Sequence, residues 1–413
     1  MTLIWLVKLP LGEEIVDSPL QGKSIVLGVT GSIAAYKAAN IASRLTQEGA
    51  SVDVILTESA TKFITPLTFK SLTHRPVVTD MYEENSEMAI EHVALARRSD
   101  LILVAPATAN FLAKIVYGFS DDSLSASILA STSPLVVAPA MDGNMYDNEA
   151  TQSNIRTLIE RGIIIVGPES GHLASGLTAM GRMSDIDKIM DTLYLELGKK
   201  GDLVGRTLVV SAGGTQEPID PVRIITNRSS GKMGYAIAKA ARDRGAKVIL
   251  VTAATSLADP GGIAIKRVAT VADMREAVLS SCEDADALIM AAAVSDYRPA
   301  KAEEQKIKKQ GEQGLKLDLV KNADFFLEVP EGVLRIGFAA ESENLIQNAK
   351  EKLESKSMSM IVANDITAED SGFNVDTNRV TLLDVKGNVE ELPLLSKYQV
   401  GHKILDRVAS LLV

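Results

Sequence analysis

The chain writes the same opening twice. Gly22-Lys23-Ser24-Ile25-Val26-Leu27-Gly28-Val29 is a buried-strand run that leads through a small-residue turn into an apolar-periodic helix over 33–47. Gly205-Arg206-Thr207-Leu208-Val209-Val210-Ser211-Ala212 starts the same series in the second half, with a helix over 235–244. In each half a glycine, Gly49 or Gly245, ends the helix and a second strand follows, at 51–56 or 247–252. Further apolar runs at 101–104, 135–137, 163–166 and 287–290 alternate with helical patterns. Continuous apolar strands alternating with helices imply parallel sheets covered on both faces. The expected fold class is therefore α/β, with two domains whose sheets are largely parallel.

With 413 residues the chain has room for two such domains. The Gly198-Lys199-Lys200-Gly201-Asp202 stretch is the best linker candidate, by its turn residues. This gives residues 1–22 as an N-terminal extension, 23–197 as the first domain, 198–204 as a linker and 205–413 as the second domain. No apolar stretch approaches the length of a membrane span. The net charge of −10 disfavours a surface that coats nucleic acid but permits a local basic pocket for an anion. A single cysteine, Cys282, excludes an intramolecular disulfide or a cysteine-cage metal site and fits a reducing cytoplasm. Four scattered histidines, at 74, 92, 172 and 402, argue against a histidine-rich metal site.

Doubly wound sheets bind ligands at the carboxyl ends of their strands. The small polar clusters fall there: Thr30-Gly31-Ser32, Thr57-Glu58-Ser59, Ala105-Pro106-Ala107-Thr108-Ala109-Asn110 and Pro139-Ala140-Met141-Asp142. No G-x-G-x-x-G is present, so a mononucleotide fits better than a dinucleotide. In the second half, Thr226-Asn227-Arg228-Ser229-Ser230-Gly231-Lys232-Met233-Gly234 runs straight into a helix. Taken alone it is either a phosphate cradle or a helix cap with a solvated lysine, and it is not a Walker A loop.

The combination in the first half is more specific than its parts. Gly28-x-Thr30-Gly31-Ser32-Ile33-Ala34-Ala35-Tyr36-Lys37, His92-Val93-x-Leu95, the 105–110 cluster with Lys114 and Gly118, and Pro139-x-Met141 with Met145-Tyr146 resemble the FMN-dependent cysteine decarboxylases. The resemblance implies a flavodoxin-like domain that holds FMN at a trimer interface. It assigns the catalytic base to His92, cofactor contacts to Gly31, Ser32, Thr57, Ser59, Ala107, Thr108, Asn110 and Met141, and substrate contacts to position 142, Met145 and Arg182.

Two positions depart from that pattern. Asp142 stands where the family has a substrate-binding asparagine, and Ser175 where its flap carries a cysteine. An ionised aspartate only accepts hydrogen bonds and would repel a substrate carboxylate. Either Asp142 is protonated, or Asn144 or a backbone group takes over the contact. In the implied chemistry, oxidation of the cysteinyl thiol gives a thioaldehyde, carbon dioxide leaves to form an enethiolate, and reduction of that species needs an acid. A serine hydroxyl is a far weaker acid than a thiol. Ser175 relays a proton, another acid replaces it, or the reaction stalls at the enethiol. The intact remainder of the constellation favours the relay.

In the second half, Gly213-Gly214-Thr215-Gln216-Glu217-Pro218-Ile219-Asp220-Pro221-Val222-Arg223-x-Ile225 followed by the 226–234 stretch is similar to the signature of phosphopantothenate–cysteine ligases. Ala291-Ala292-Ala293-Val294-Ser295-Asp296-Tyr297, Lys306-Ile307-Lys308-Lys309, Lys321-Asn322-x-Asp324, Gly337-Phe338-Ala339-Ala340-Glu341 and Ile361-Val362-Ala363-Asn364-Asp365 follow in family order. Gly214 stands where the family usually has proline. The resemblance implies that CTP activates 4'-phosphopantothenate as an acyl-cytidylate, which L-cysteine then attacks. Lys306 is the implied catalytic lysine that neutralises the reacting phosphoryl group, and Asn227 positions the acyl-cytidylate. Ser229, Ser230, Gly231 and Lys232 are implied phosphate contacts, and Ala291, Ala292 and Ala293 base contacts. Asp296 contacts the nucleotide or its Mg2+, while Lys321, Asn322, Asp324 and Phe338 complete the nucleotide side. The polar, lysine-rich segment 302–319 reads as a flap over the nucleotide.

The whole chain thus resembles bifunctional enzymes of coenzyme A synthesis that join a ligase to a decarboxylase. The family association implied is a dodecamer of trimers and dimers, with no nucleic-acid or membrane partner. Two other readings are a flavin prenyltransferase, which leaves the ligase half unaccounted for, and a ligase whose silenced decarboxylase serves as a binding or regulatory flavoprotein. Only Asp142 and Ser175 support the latter, and the His92 motif opposes it.

Overall fold

A computed structural model describes residues 18–81, 91–308, 315–341, 345–365 and 375–412. Residues 1–17 of the expected N-terminal extension and 309–314 of the lysine-rich segment, Lys309 included, lie outside these. The chain divides into two compact units, residues 1–197 and 198–413.

The first unit is built on a six-stranded sheet: β1 (Ser24–Val29), β2 (Ser51–Leu56), β3 (Val77–Val78), β4 (Leu101–Ala107), β5 (Leu135–Pro139) and β6 (Ile164–Ile165), in the order β3-β2-β1-β4-β5-β6. Every pairing in it is parallel. Alternate residues of one strand feed two cores. Ile25, Leu27 and Val29 pack in the cluster that includes helix Ala35–Gln47, while Val26 faces the opposite cluster with Leu112 and Leu124. A strand buried on both faces takes a polar side chain only where it finds a partner, as Asp53 of β2 does, which explains the largely apolar runs of the sequence. After β6 an antiparallel hairpin, β7 (Glu169–His172) with β8 (Thr178–Arg182), stands apart from the sheet.

The second unit carries an eight-stranded sheet. Its strands are β9 (Thr207–Ala212), β12 (Lys247–Thr252), β13 (Ala264–Arg267), β14 (Ala287–Met290), β17 (Leu334–Glu341), β18 (Met360–Asp365), β20 (Val380–Asp384) and β21 (Val389–Glu391). The order is β13-β12-β9-β14-β17-β18-β20-β21, parallel up to β18 and antiparallel from there to the β21 edge. Three two-stranded ribbons lie outside it: β10 (Gln216–Pro218) with β11 (Ile224–Thr226), β15 (Tyr297–Pro299) with β16 (Leu319–Lys321), and β19 (Thr377–Asn378) with β22 (Leu395–Ser396). Residues 198–204 pack on this unit, with Leu203 in its core. The sequence pattern shows few strand signals in the lysine-rich segment 302–319, yet β15 just before it pairs antiparallel with β16 at its far end, away from the sheet.

Helices Lys232–Arg242 and Lys397–Leu411 lie against each other over one sheet face. The second starts with a capping box between Ser396 and Gln399. Between them Arg242 and Asp243, both buried, form an ion pair, and the Tyr398 hydroxyl donates to Asp243 Oδ2 at 2.7 Å. Cys282 is buried and its thiol is pushed up to about 11 by burial, which leaves it unreactive at neutral pH. No helix among the described residues is long and apolar enough to cross a membrane.

His402 lies buried in the final helix, edge-on to Tyr398 at 4.6 Å, and burial, reinforced by the Arg244 charge, lowers its pKa from 6.5 to about 4. Between those values the unfolded chain binds a proton that the folded one does not, so stability rises with pH through the window. The contribution is complete above pH 6.5 and is lost as pH falls to about 4. The shift amounts to about 3 kcal/mol. The urea midpoint for unfolding of the second unit is expected to fall as pH falls across this range, and His402→Gln is expected to flatten the slope. An unchanged slope in His402→Gln would show that another group titrates.

Candidate functional site

In the first unit the strand order reverses between β1 and β4, and the loops after these strands part to either side. Thr30 joins the two ends. Its hydroxyl donates to the Pro106 carbonyl at 2.8 Å and accepts from the Thr108 amide at 3.1 Å. This sets the Thr30-Gly31-Ser32 turn beside the 107–110 segment. Gly31 packs so close to the loop after β2 that a Cβ there would lie 2.5 Å from Ser59 Cβ. Thr57 and Thr108 each cap a short helix, accepting from Ala60 and Phe111 amides at 3.3 Å, while Ser59 and Asn110 stay exposed. Ala107 is buried at the end of β4. Gly31, Ser32, Thr57, Ser59, Ala107, Thr108 and Asn110 therefore all line the carboxyl ends of β1, β2 and β4, the place where a doubly wound sheet holds a mononucleotide.

Met141 follows β5, and its amide donates to the Gly181 carbonyl at 3.0 Å. The hairpin arm β8 presses on this segment. A Cβ on Gly181, whose φ is +142°, would stand 2.3 Å from Met141 O, and one on Gly143 2.6 Å from Ala179 Cβ. This contact brings the hairpin tip over residue 142. The Ser175 hydroxyl donates to Asp142 Oδ2 at 2.6 Å, and the Asn144 amide donates to Oδ1 at 3.0 Å. The two departures from the family pattern, 33 residues apart, are thus partners. The Ser175 hydroxyl, and next the Asn144 amide, hold the Asp142 carboxyl below the usual carboxylate range. Both contacts favour the ionised carboxylate over the protonated form.

His92 is half-buried in the first turn of helix Glu91–Arg98. That helix leads into β4, so it runs against the strands and starts at their carboxyl ends. Its far end is anchored by Arg98, which shares the buried Asp53 of β2 with Arg75. Met145 is exposed on the short helix Gly143–Asp147. Arg182 pairs with Asp185 at 2.6 Å, while its buried Nε has no partner among the described residues. Lys37 donates to Met183 O, and burial and then the Arg182 charge lower its pKa.

In the second unit the insertion after β9 is stitched to neighbouring loops. The Ala293 amide donates to Gly213 O at 2.8 Å, and the Ser295 amide to the Thr215 hydroxyl at 3.0 Å. Thr226 Oγ1 donates to Thr215 O at 2.8 Å, and Asn227 Nδ2 to Val294 O at 3.1 Å. Asn227 is therefore oriented at the carboxyl ends of β9 and β14. Gly231, with φ +76°, is the N-cap of helix Lys232–Arg242, and the Ser229 and Ser230 hydroxyls accept from the Gly231 and Lys232 amides at 3.4 Å. Lys232 Nζ donates to Asp376 at 2.7 Å.

The amides of Ala291, Ala292 and Ala293 are all donated within the protein, to Ile289 O, Ser211 Oγ and Gly213 O. The exposed Asp296 is linked to the β16 arm through its carbonyl, which accepts from the Asn322 amide at 2.8 Å, and Asn322 Nδ2 donates to Ser295 O. Lys321 lies opposite Tyr297 in the ribbon. These contacts gather Asn227, Asp296, Lys321 and Asn322. Asp324 is instead occupied with Lys356 at 2.8 Å and with the Phe326 amide. Phe338 is half-buried against the core. Among the described residues, no three or more His, Cys, Asp or Glu side chains form a metal cluster.

Lys306 is exposed, and its neighbour Ile307 is tied to the insertion: the Ile307 amide donates to Asp220 Oδ2 at 3.1 Å. The Glu303 amide donates to Ile219 O at 2.9 Å. Three residues absent from the sequence-based site set thus emerge: Thr30 as the weld, Asp220 as the anchor, and Ser295, whose buried hydroxyl has no partner among the described residues. All three stand inside the stretches singled out in sequence, but their partners, which give them these roles, are not visible there.

Residues 13–197 match the family model described as Flavoprotein, and residues 203–412 that of the DNA/pantothenate metabolism flavoprotein C-terminal domain. The Coenzyme A biosynthesis bifunctional protein CoaBC of Bacillus subtilis is 42% identical, covering 95% of this chain and 98% of the relative. Its counterpart in Vibrio parahaemolyticus is 42% identical, covering 95% and 99%. A crystal structure of the C-terminal domain of CoaBC shares 39% identity, covers 51% of this chain and 98% of its own, and has a TM-score of 0.45. By identity along nearly its whole length, the chain belongs to the family of bifunctional coenzyme A biosynthesis proteins.

Proposed function

We propose that the second unit joins L-cysteine to 4'-phosphopantothenate with CTP, and that the first decarboxylates the product, phosphopantothenoylcysteine, to 4'-phosphopantetheine. What supports the reading is that Asn227, bonded to Val294 O, lies beside the Asp296 loop at the carboxyl ends of β9 and β14, and that the neck of the Lys306 flap is tethered to the tip of the same inserted loop. Lys306 offsets the charge that builds on the α-phosphoryl group of CTP, and Asp296 is the residue that would hold a Mg2+ ion supplying further positive charge. Asn227, fixed through Val294 O, holds the acyl-cytidylate for attack by the cysteine amine. With the Ala291–Ala293 amides donated inward, base recognition there falls to carbonyl groups.

In the first unit the close-packed turn at Gly31, the capped helix start at Thr108 and the exposed Ser59 and Asn110 fit FMN. When bound, FMN supplies the two-electron oxidation and re-reduction that decarboxylation of a cysteinyl group requires. His92 acts as base at the substrate. Ser175, once its hydroxyl turns from Asp142 to the substrate, passes on a proton replaced from solvent at the last step, and the Asp142 charge directs the substrate carboxylate away from itself, toward Asn144 and Arg182. The exposed Ile33, Tyr36, Phe63, Leu67, Tyr117 and Phe119 support self-association of this unit, as trimers that ligase dimers link into a dodecamer. The protein is read as cytoplasmic.

The test is a coupled assay with 4'-phosphopantothenate, cysteine, CTP and magnesium, each product identified by mass. Lys306→Gln is expected to release pyrophosphate only at a small residual rate, whereas Asn227→Asp releases it without consuming cysteine; equal loss at the first step in both would reject this division of labour. Given phosphopantothenoylcysteine, the native chain is expected to yield 4'-phosphopantetheine, His92→Asn no carbon dioxide, and Ser175→Ala a species two hydrogens lighter than 4'-phosphopantetheine. Accumulation of that lighter species by the native chain would reject the relay.

A further inference from the structure

The Asp220 carboxylate is the most heavily used acid of the inserted loop. Its side chain is fully buried, and its two oxygens divide their work. Oδ1 accepts the amides of Val222 and Arg223, at 2.8 and 2.9 Å, and so shapes the tip between β10 and β11. Oδ2 accepts the Arg223 guanidinium at 2.9 Å and the Ile307 amide at 3.1 Å. Arg223 also reaches the Ile307 carbonyl, at 3.4 Å. Both backbone groups of the residue after Lys306 are therefore held by one ion pair, across 87 positions of sequence. Burial alone would raise the pKa of this carboxyl, but the amides of Val222, Ile307 and Arg223, with the Arg223 charge, bring it below the usual range.

We propose that Asp220 is a positioning residue for the ligase reaction, acting through Lys306. Oδ1 builds a turn that any local acceptor could build, whereas Oδ2 fixes the neck of a segment that is otherwise exposed from 301 to 306. Lysine side chains have large rotamer freedom, so holding the adjacent backbone is what brings the ammonium to a developing charge at little entropic cost. This role rests on the reading of Lys306 as the catalytic lysine.

Two variants of the full chain separate the roles of the oxygens. Asp220→Asn turns a donor toward the Ile307 amide, and Asp220→Ser keeps a turn-forming oxygen but cannot reach Ile307. Both are expected to speed hydrogen exchange at residues 303–308 while leaving exchange in β9 and β14 unchanged. Both should lower kcat for pyrophosphate release roughly 10- to 100-fold, with the KM for CTP little changed. In a Lys306→Gln background, where the residual rate is followed over long incubations, Asp220→Asn should cause no further loss. Unchanged exchange at 303–308, or losses that multiply in the double variant, would overturn the proposal. A Lys306→Gln chain that releases pyrophosphate at the native rate would overturn the reading of Lys306 instead, and the exchange data tell the two failures apart.

Discussion

Parallel strands buried on both faces leave their chain only one place to be polar. In each unit the strands are filled by Ile, Leu, Val and Ala, and hydrogen-bonding groups crowd into the loops at the carboxyl ends. The two units solve the resulting problem differently. The first keeps its β1 turn short and secures it with a single hydroxyl, that of Thr30, shared between two strands. The second inserts a two-stranded ribbon and sews it to neighbouring loops through Gly213, Thr215 and Asn227. Buried backbone groups that lose water need partners in either case, and both arrangements supply them next to the place where a ligand would sit.

The α/β plan was legible because both-face burial leaves an unmistakable sequence trace: apolar runs between helical periods. The clusters at 30–32, 107–110 and 226–231 could be placed at strand ends for the same reason. Pairings across long stretches of sequence were not legible. Nothing local indicates that Ser175 meets Asp142, that Lys232 is held by Asp376 144 positions away, or that Asp324 turns to Lys356. Each depends on which loop tips the topology brings together, and a side chain reports its type but not its neighbour. The inward use of the Ala291–Ala293 amides was hidden as well, since backbone hydrogen bonding in an irregular loop follows from tertiary contacts.

Charge is handled locally rather than by the overall balance of −10. Three buried carboxylates have cationic partners: Asp53 with Arg75 and Arg98, Asp220 with Arg223, Asp243 with Arg242. Such pairs add little net stability beyond an apolar alternative, but removing one member is costly. They therefore fix geometry. Asp53 secures the end of the His92 helix, and Asp220 secures the neck beside Lys306.

The bond between Ser175 and Asp142 also constrains how this chain can change. A cysteine introduced at 175 alone would face an ionised carboxylate, which raises the pKa of a thiol and makes it a poorer acid. An asparagine introduced at 142 alone would still accept from the serine, yet would remove the charge that orients its hydroxyl. The two positions are thus coupled, and a cysteine at 175 is better accommodated once residue 142 no longer carries a charge.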